Sequence, residues 1–540
     1  MAHSPLFQRF VQILQQARRE NRKEEGNPLP LTKAEFQWTR RHFVKSAALA
    51  GGATLVARPA FSSPKPNSKI VVIGGGLAGL NAAYQLKKQG YIATVYEANN
   101  RLGGRAQSVT GIVGTGLISD TGGHLINTDH ADMIALANDF GLPLFNRVED
   151  AAKFSFSPTG FYFNNKIRSE AEIAEKLRSL AGQIAKDAAL LDQDFDRYGP
   201  TFDRLSVEDY LNAHADKIPE PFIRELIVGV IRTEYGVEAN QSTALQLLFV
   251  LPTVNGTEVD IASYSDEVYV VQDGVGKIVD GLATALAGQV LLKKYLTAIK
   301  SQGKGFRLTF ATGESVDADY VILAIPFTLL RKVDIKVKLP NTLLQFIREG
   351  QLGANEKILA GFNQKVWRQS NGFVKSLSAD LGFAQAWDGS QRQTDRPEGE
   401  FTFFFGGNQV STIQGRSTQA QGQRFVGLLE QIIPGAAANA NNQFLRTQWT
   451  KNPFSKGAYS TFSPGQYTTF KKFLYVESDD PNKKQEVSAD NLVFAGEQLS
   501  DEFYGFMNAA AQTGRLAANI VMRLAEASQA HAESTNSYIS

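Results

Sequence analysis

The stretch from Lys69 to Glu97 constrains the fold more than any other part of the chain. Lys69-Ile70-Val71-Val72-Ile73 is a β-branched run of the kind that forms a buried parallel strand. Gly74-Gly75-Gly76-Leu77-Ala78-Gly79 follows in the pattern G-x-G-x-x-G, with Gly74, Gly76 and Gly79 at the fixed places. Leu80 to Gln89 then keeps helical spacing until Gly90, and Tyr91 to Tyr96 forms a second strand that ends at Glu97, 23 residues after Gly74 (97 − 74). Glycines there permit a tight turn and close backbone approach to a pyrophosphate. The helix start adds unpaired N–H groups and the positive end of its dipole. A carboxylate at the tip of the second strand accepts the hydroxyls of an adenosine ribose. Strand, loop, helix, strand and acid in one register predict a Rossmann-like α/β dinucleotide domain, in a chain that is α+β overall.

Beyond Glu97-Ala98 come Arg101-Leu102-Gly103-Gly104-Arg105 and a third glycine turn, Asp120-Thr121-Gly122-Gly123-His124. A second glycine pair between arginines brings backbone and guanidinium groups beside a diphosphate and the ring attached to it. With these motifs the sequence resembles the flavin amine oxidase family, which includes monoamine, polyamine and L-amino acid oxidases. The resemblance extends from about Ser68 to Glu526 in scattered motifs. It implies FAD as cofactor, with Gly74, Gly76, Leu77, Ala78, Gly79, Glu97, Ala98, Arg101, Gly103, Gly104, Arg105, Gly122, Gly123 and His124 along its first part. Leu296, in the expected strand Val290 to Ile299, matches the position whose backbone meets adenine. Ala324 belongs to the strand Asp319 to Pro326. Gly496-Glu497, after the strand Asn491 to Ala495, matches the pair at the ribityl phosphate. Phe506-Met507-Asn508 opens an Ala-rich helix facing the flavin pyrimidine, where its N-terminus would stabilise the reduced ring.

The same resemblance picks out the chemistry. Lys357 precedes Trp367 by ten residues (367 − 357), as does the family lysine that holds a water against flavin N5. Ile358-Leu359-Ala360 beside it indicate a buried strand. Trp449 to Ser460 resembles the family's W…G-x-Y segment, placing Trp449 and Tyr459 at the flavin, with Phe506 as the second aromatic of a pair. Two such rings form a slot that aligns a neutral amine and attracts its dipole. The implied reaction converts an amine or L-amino acid to an imine and then to an aldehyde or keto acid, releasing ammonia from primary amines. O₂ is reduced to hydrogen peroxide. Relatives acting on L-amino acids often carry an arginine two residues after the glycine turn. Here the turn reads Gly123-His124-Leu125, which favours an amine of undefined identity, with L-amino acids next. Three alternatives remain: an L-amino acid dehydrogenase with a quinone acceptor, a carotenoid-type desaturase sharing the first glycine loop, and a non-enzymatic FAD-dependent scaffold.

Composition narrows the rest. The chain has 56 basic and 54 acidic residues for a net charge of +2, which excludes a global field for nucleic acid. Its lack of cysteine removes disulfides, thiolate ligands and a cysteinyl bond to flavin, so FAD is expected to be noncovalent. No metal-ligand pattern emerges from the six histidines. Arg40-Arg41-His42-Phe43-Val44-Lys45 and the Ala/Gly-rich run Ala47 to Ala57 resemble a twin-arginine leader, with Gly51-Gly52 unsuited to a core helix. Export by that machinery to the periplasm, already folded around a cofactor, is the expected consequence. The expected organisation is a leader and linker over 1–67, an FAD domain from 68–145, 263–335 and 445–525, and a substrate domain from a helix-rich 146–262 and a mostly antiparallel sheet in 336–444. A disordered tail is expected over 526–540, and a homodimer is a candidate assembly.

Overall fold

The computed structural model describes residues 68–369 and 372–537. The expected leader and linker, 1–67, lie outside the described residues. Two sheets dominate the rest. One is six-stranded, in the order 290–291, 93–96, 70–73, 320–323, 492–494 and 488–489, parallel throughout except for the last pair. Its central strand Ile70–Ile73 is buried along its whole length, as β-branched residues covered on both faces require. Helix Leu77–Lys88 packs on this sheet and is crossed closely by the terminal helix Met507–Ser537. At the crossing Asn81 Nδ2 donates to the Ala511 carbonyl at 2.6 Å. A Cβ on Gly514 would lie 2.2 Å from the Ala78 carbonyl oxygen. Small residues thus bring two helix N-termini side by side.

The second sheet has seven strands, in the order 440–446, 355–362, 399–406, 385–388, 376–379, 159–163 and 166–168. It is antiparallel except where 376–379 runs parallel to 159–163. Ile358, Ala360 and Phe362 on one face pack with Phe401, Phe403 and Phe405 under helix Thr418–Leu429. The other face carries Lys357 at the register position opposite Phe404. Helix Pro221–Tyr235 packs on the strands 399–406 and 376–379, and helix Glu170–Gln193 packs on that helix in turn, with a continuous apolar core between them.

Three expectations are corrected. The helix-rich stretch 146–262 also supplies the hairpin Thr159–Phe163 and Lys166–Arg168 to the large sheet. Its two turn residues Asn164 and Asn165 have φ of 55° and 57°, the left-handed pair that a tight hairpin requires. The run Val290 to Ile299 is two strands in two sheets, because Lys293 at φ 59° turns the chain out of the parallel sheet before Leu296–Gln302 begins. The last helix continues to Ser537 in place of a tail starting at 526. Ala527, Ala530 and Ala532 favour helix, and Tyr320 Oη donates to Ser528 Oγ at 3.1 Å.

The glycine loop depends on absent side chains. Gly74 has φ 109°, and a Cβ on Gly79 would sit 1.9 Å from the Gly74 carbonyl oxygen. Gly79→Ala should therefore push the loop off its helix and cost about 3 kcal/mol. Thermal unfolding compared with wild type measures it.

Candidate active site

One elongated cleft, with ≈ 1290 Å³ of empty space including its open mouth, starts at Glu97 and the glycine loop and ends at Tyr459 and Phe506. At the first end Glu97 Oε2 accepts from Gly75 N at 2.6 Å and Oε1 from Asn99 N at 2.7 Å, so the acid is held by its own loop. Arg101 donates to the Leu102 carbonyl at 3.1 Å and the Gly104 carbonyl at 2.9 Å, shaping the second glycine pair. The N-termini of both crossing helices open onto the cavity through Leu77, Ala78, Met507 and Ala510. Orphan N–H groups and two aligned dipoles make that wall a receptor for an anion.

Further along, Glu497 organises the far end. Its Oε1 accepts from Arg105 at 2.8 Å and Ser460 Oγ at 2.9 Å, while Oε2 accepts from Gly505 N at 2.9 Å and Ser460 N at 3.3 Å. Arg105 also donates to the Ala458 carbonyl at 2.5 Å. Tyr459 is thus clamped between two tethered neighbours, and Phe506 follows a third. The Tyr459 hydroxyl donates to the Thr233 carbonyl at the end of helix Pro221–Tyr235. Burial raises its pKa well above the ordinary phenol value, helped by Glu234, Glu267 and Glu497. The Phe506 ring meets His130 at 5.1 Å and Tyr264 at 5.6 Å, both edge-on.

Lys357 is buried on the strand Asn355–Phe362, locked at its backbone by Thr447. Its Nζ donates to the carbonyls of Asp120 at 3.0 Å and Gly122 at 2.8 Å, and lies 5.6 Å over the Trp387 ring. Desolvation lowers its pKa to about 8, and Arg392 pushes the same way against Asp120 and Glu400. Behind it, Arg392 pairs with Asp120 at 2.6 Å with both side chains buried, and Ser119 and Thr402 donate to Glu400.

Of the residues singled out from the sequence, the cavity wall contains Gly74, Gly76, Leu77, Ala78, Glu97, Ala98, Arg101, Gly103, Gly104, Arg105, Gly123, Leu296, Ala324, Trp449, Tyr459, Gly496, Glu497, Phe506 and Met507. Five others lie behind it. Gly79 is a packing glycine, and a Cβ on Gly122 would meet the Arg105 carbonyl oxygen at 1.8 Å. His124 is buried with Nε2 3.7 Å from Asp120; burial first, then Lys357, Arg392 and Arg147, hold it neutral. Asn508 Oδ1 accepts from Asp132 N and Met133 N, both at 3.1 Å, and so caps helix Ala131–Asp139. Lys357 touches the turn whose next residue, Gly123, forms the wall. Sequence reasoning missed Lys294, Asn452, Ser455 and Gln498 on the same wall. Nothing separates Lys294 from Lys293 in the sequence, although Lys294 N donates to the Glu97 carbonyl at 2.8 Å.

The wall fits a flavin dinucleotide: an acid at one end, N–H-rich glycine turns in the middle, aromatic rings at the other. Gln498 adds a buried Oε1 with no partner of its own. With Lys357 neutral from about pH 8 and an unfolded lysine protonated to about 10.4, the unfolded chain binds more protons across that interval. Wild type should therefore gain on the order of 2 kcal/mol over Lys357→Met between pH 8 and pH 10. Urea midpoints of the two proteins across that range read the difference.

Residues 77–522 match the profile of flavin containing amine oxidoreductases. (S)-6-hydroxynicotine oxidase of Paenarthrobacter nicotinovorans is 26% identical over 292 residues, 54% of this chain and 67% of that one. Nicotine dehydrogenase of Pseudomonas putida (strain DSM 28022 / S16) is 22% identical over 91% of this chain and 99% of its own. The fold is similar to that of cyclohexylamine oxidase from Brevibacterium oxydans IH-35A, with TM-score 0.69 and 20% identity over 85% of this chain and all of the other. A family match spanning most of the chain, on a wall built for a dinucleotide and closed by an aromatic end, leads to one conclusion: the chain belongs to the flavin containing amine oxidoreductase family, whose cofactor is FAD.

Proposed function

We propose that the protein oxidises a small amine to an imine, which water converts to a carbonyl compound and ammonia. With O₂ as acceptor and a primary amine the sum is R–CH₂–NH₂ + O₂ + H₂O → R–CHO + NH₃ + H₂O₂. The observation that carries this reading is the end of the cavity, where Tyr459 and Phe506 line the wall and Lys357 backs Gly123. Bound flavin supplies the two-electron acceptor. Tyr459 and Phe506 offer ring faces that exclude water and orient a neutral amine. The buried Lys357, titrating near 8, can hold a water or pass a proton on the wall's far side, because desolvation has brought it close to neutral pH. Glycine turns, Glu97 and Glu497 hold the cofactor without a covalent bond through cysteine, which the chain lacks.

Charge near the slot supports an amine without a carboxylate. The charged groups acting on the Tyr459 hydroxyl are Glu234, Glu267 and Glu497, and Arg105 is committed to Glu497. Such a setting repels an amino acid carboxylate and attracts an ammonium. Anaerobic addition of simple alkylamines, arylalkylamines and cyclic amines to the yellow holoprotein should bleach the flavin, whereas L-amino acids should not. Reoxidation by air with stoichiometric peroxide identifies an oxidase. Sluggish reoxidation by air that a quinone accelerates identifies a dehydrogenase instead.

The twin-arginine motif supports export to the periplasm of the folded, cofactor-loaded protein. Replacing Arg40 and Arg41 together by Lys should retain the protein in the cytoplasm, measured by cell fractionation.

A further inference from the structure

Glu234 stands next to the last residue of helix Pro221–Tyr235, where backbone carbonyls concentrate partial negative charge. It is connected to both rings of the aromatic slot. Tyr264 Oη donates to Glu234 Oε2 at 2.5 Å, and the Tyr264 ring packs edge-on against Phe506 at 5.6 Å. The preceding residue, Thr233, accepts the Tyr459 hydroxyl through its carbonyl. Glu234 is half-buried and stands behind the cavity wall that Tyr459 and Phe506 line.

The family's chemistry needs an amine with a free electron pair, while an alkylamine arrives at neutral pH as ammonium, with a pKa of about 10.4. We propose that Glu234 takes this proton and delivers a neutral amine to the slot between Tyr459 and Phe506, an assignment that rests on the amine reading above. The N–H bond of the ammonium breaks, its electron pair stays on nitrogen, and an O–H bond forms on the Glu234 carboxylate. The proton leaves to solvent when product departs.

The surroundings favour the transfer from both directions. Burial and the neighbouring Glu267 raise Glu234 to about 7, against the smaller opposing pull of the Tyr264 and Thr233 hydrogen bonds. An ammonium leaving water for an aromatic slot loses basicity at the same time. The two affinities converge, so the transfer requires no strong base. The groups facing Glu234 are Glu267 and Tyr264 from the 260–268 segment and Tyr459 from the bend before the strand Ser460–Thr461. Tyr235 and Tyr504 act on Tyr264, while Arg147, Lys375, Asp260 and Asp266 act on Glu267. Arg147 lies 3.7 Å from the Glu267 carboxylate, so one of the two acids is partly neutralised and Glu234 is left to respond to the ligand.

In anaerobic flavin reduction by the best amine of the panel, Glu234→Gln should be slower on the order of a hundredfold at pH 7 and converge with wild type near pH 10. No deficit at pH 7, or a deficit that persists undiminished at pH 10, overturns the assignment. Wild-type flavin that no amine reduces overturns the amine reading itself, and the two failures are separate.

Discussion

The Glu497 carboxylate is the interaction on which the site depends. Its two oxygens draw in Arg105 from the second glycine pair, Ser460 from the segment carrying Tyr459, and Gly505 from the residue before Phe506. Arg105, 392 residues away in sequence, thus meets the segments of Ser460 and Gly505 on one charge. Buried ion pairs are costly unless their remaining lone pairs are satisfied, and here every acceptor direction has a donor. The pair with Arg105 is consequently a device for placement: it fixes the separation of two aromatic residues that share no element. It acts together with the Tyr459–Thr233 hydrogen bond and the contacts of Phe506 with His130 and Tyr264.

A second charged centre does the corresponding work on the sheet side. Arg392 reaches from the loop before the strand Gly399–Gly406 to Asp120, and Arg147 donates to Gln391 and to the Lys375 and Glu267 carbonyls. Lys357 sits over the same turn and borrows its carbonyls. The large sheet is thereby docked on the nucleotide domain through guanidinium groups, whose rigid forks suit fixed acceptors. A side effect falls on His124, whose pKa is lowered well below the ordinary imidazole value by burial first and then by Lys357, Arg392 and Arg147.

How much of this was readable in the sequence follows physical lines. Motifs whose residues act through the local backbone were legible: Gly74 to Gly79 and Glu97 belong to one strand–turn–helix unit, so spacing alone locates them. Lys357, Tyr459 and Phe506 were reachable only through resemblance, since their meeting depends on Glu497 and on strands far apart. Asn508 and His124 were placed with the cofactor because they adjoin glycine turns, yet one caps a helix and the other fills the core; adjacency in sequence says nothing about which way a side chain points. The hairpin at Asn164-Asn165 carried a turn signal that was legible and overlooked amid helical neighbours. Glu234 gave no signal at all, because an acid near the end of an amphipathic helix is ordinarily a solvated one.

The parallel sheet has a consequence for how the protein is made. Strand Ile70–Ile73 is flanked by Tyr320–Leu323, and that strand in turn by Leu492–Phe494, while the helix pairing with the glycine loop begins at Met507. A ribosome must therefore release nearly the whole polypeptide before the sheet around the first strand is complete. Any flavin captured earlier would be held by half a cradle, so loading has to be a late, post-translational event, completed when the two ends of the chain close on each other.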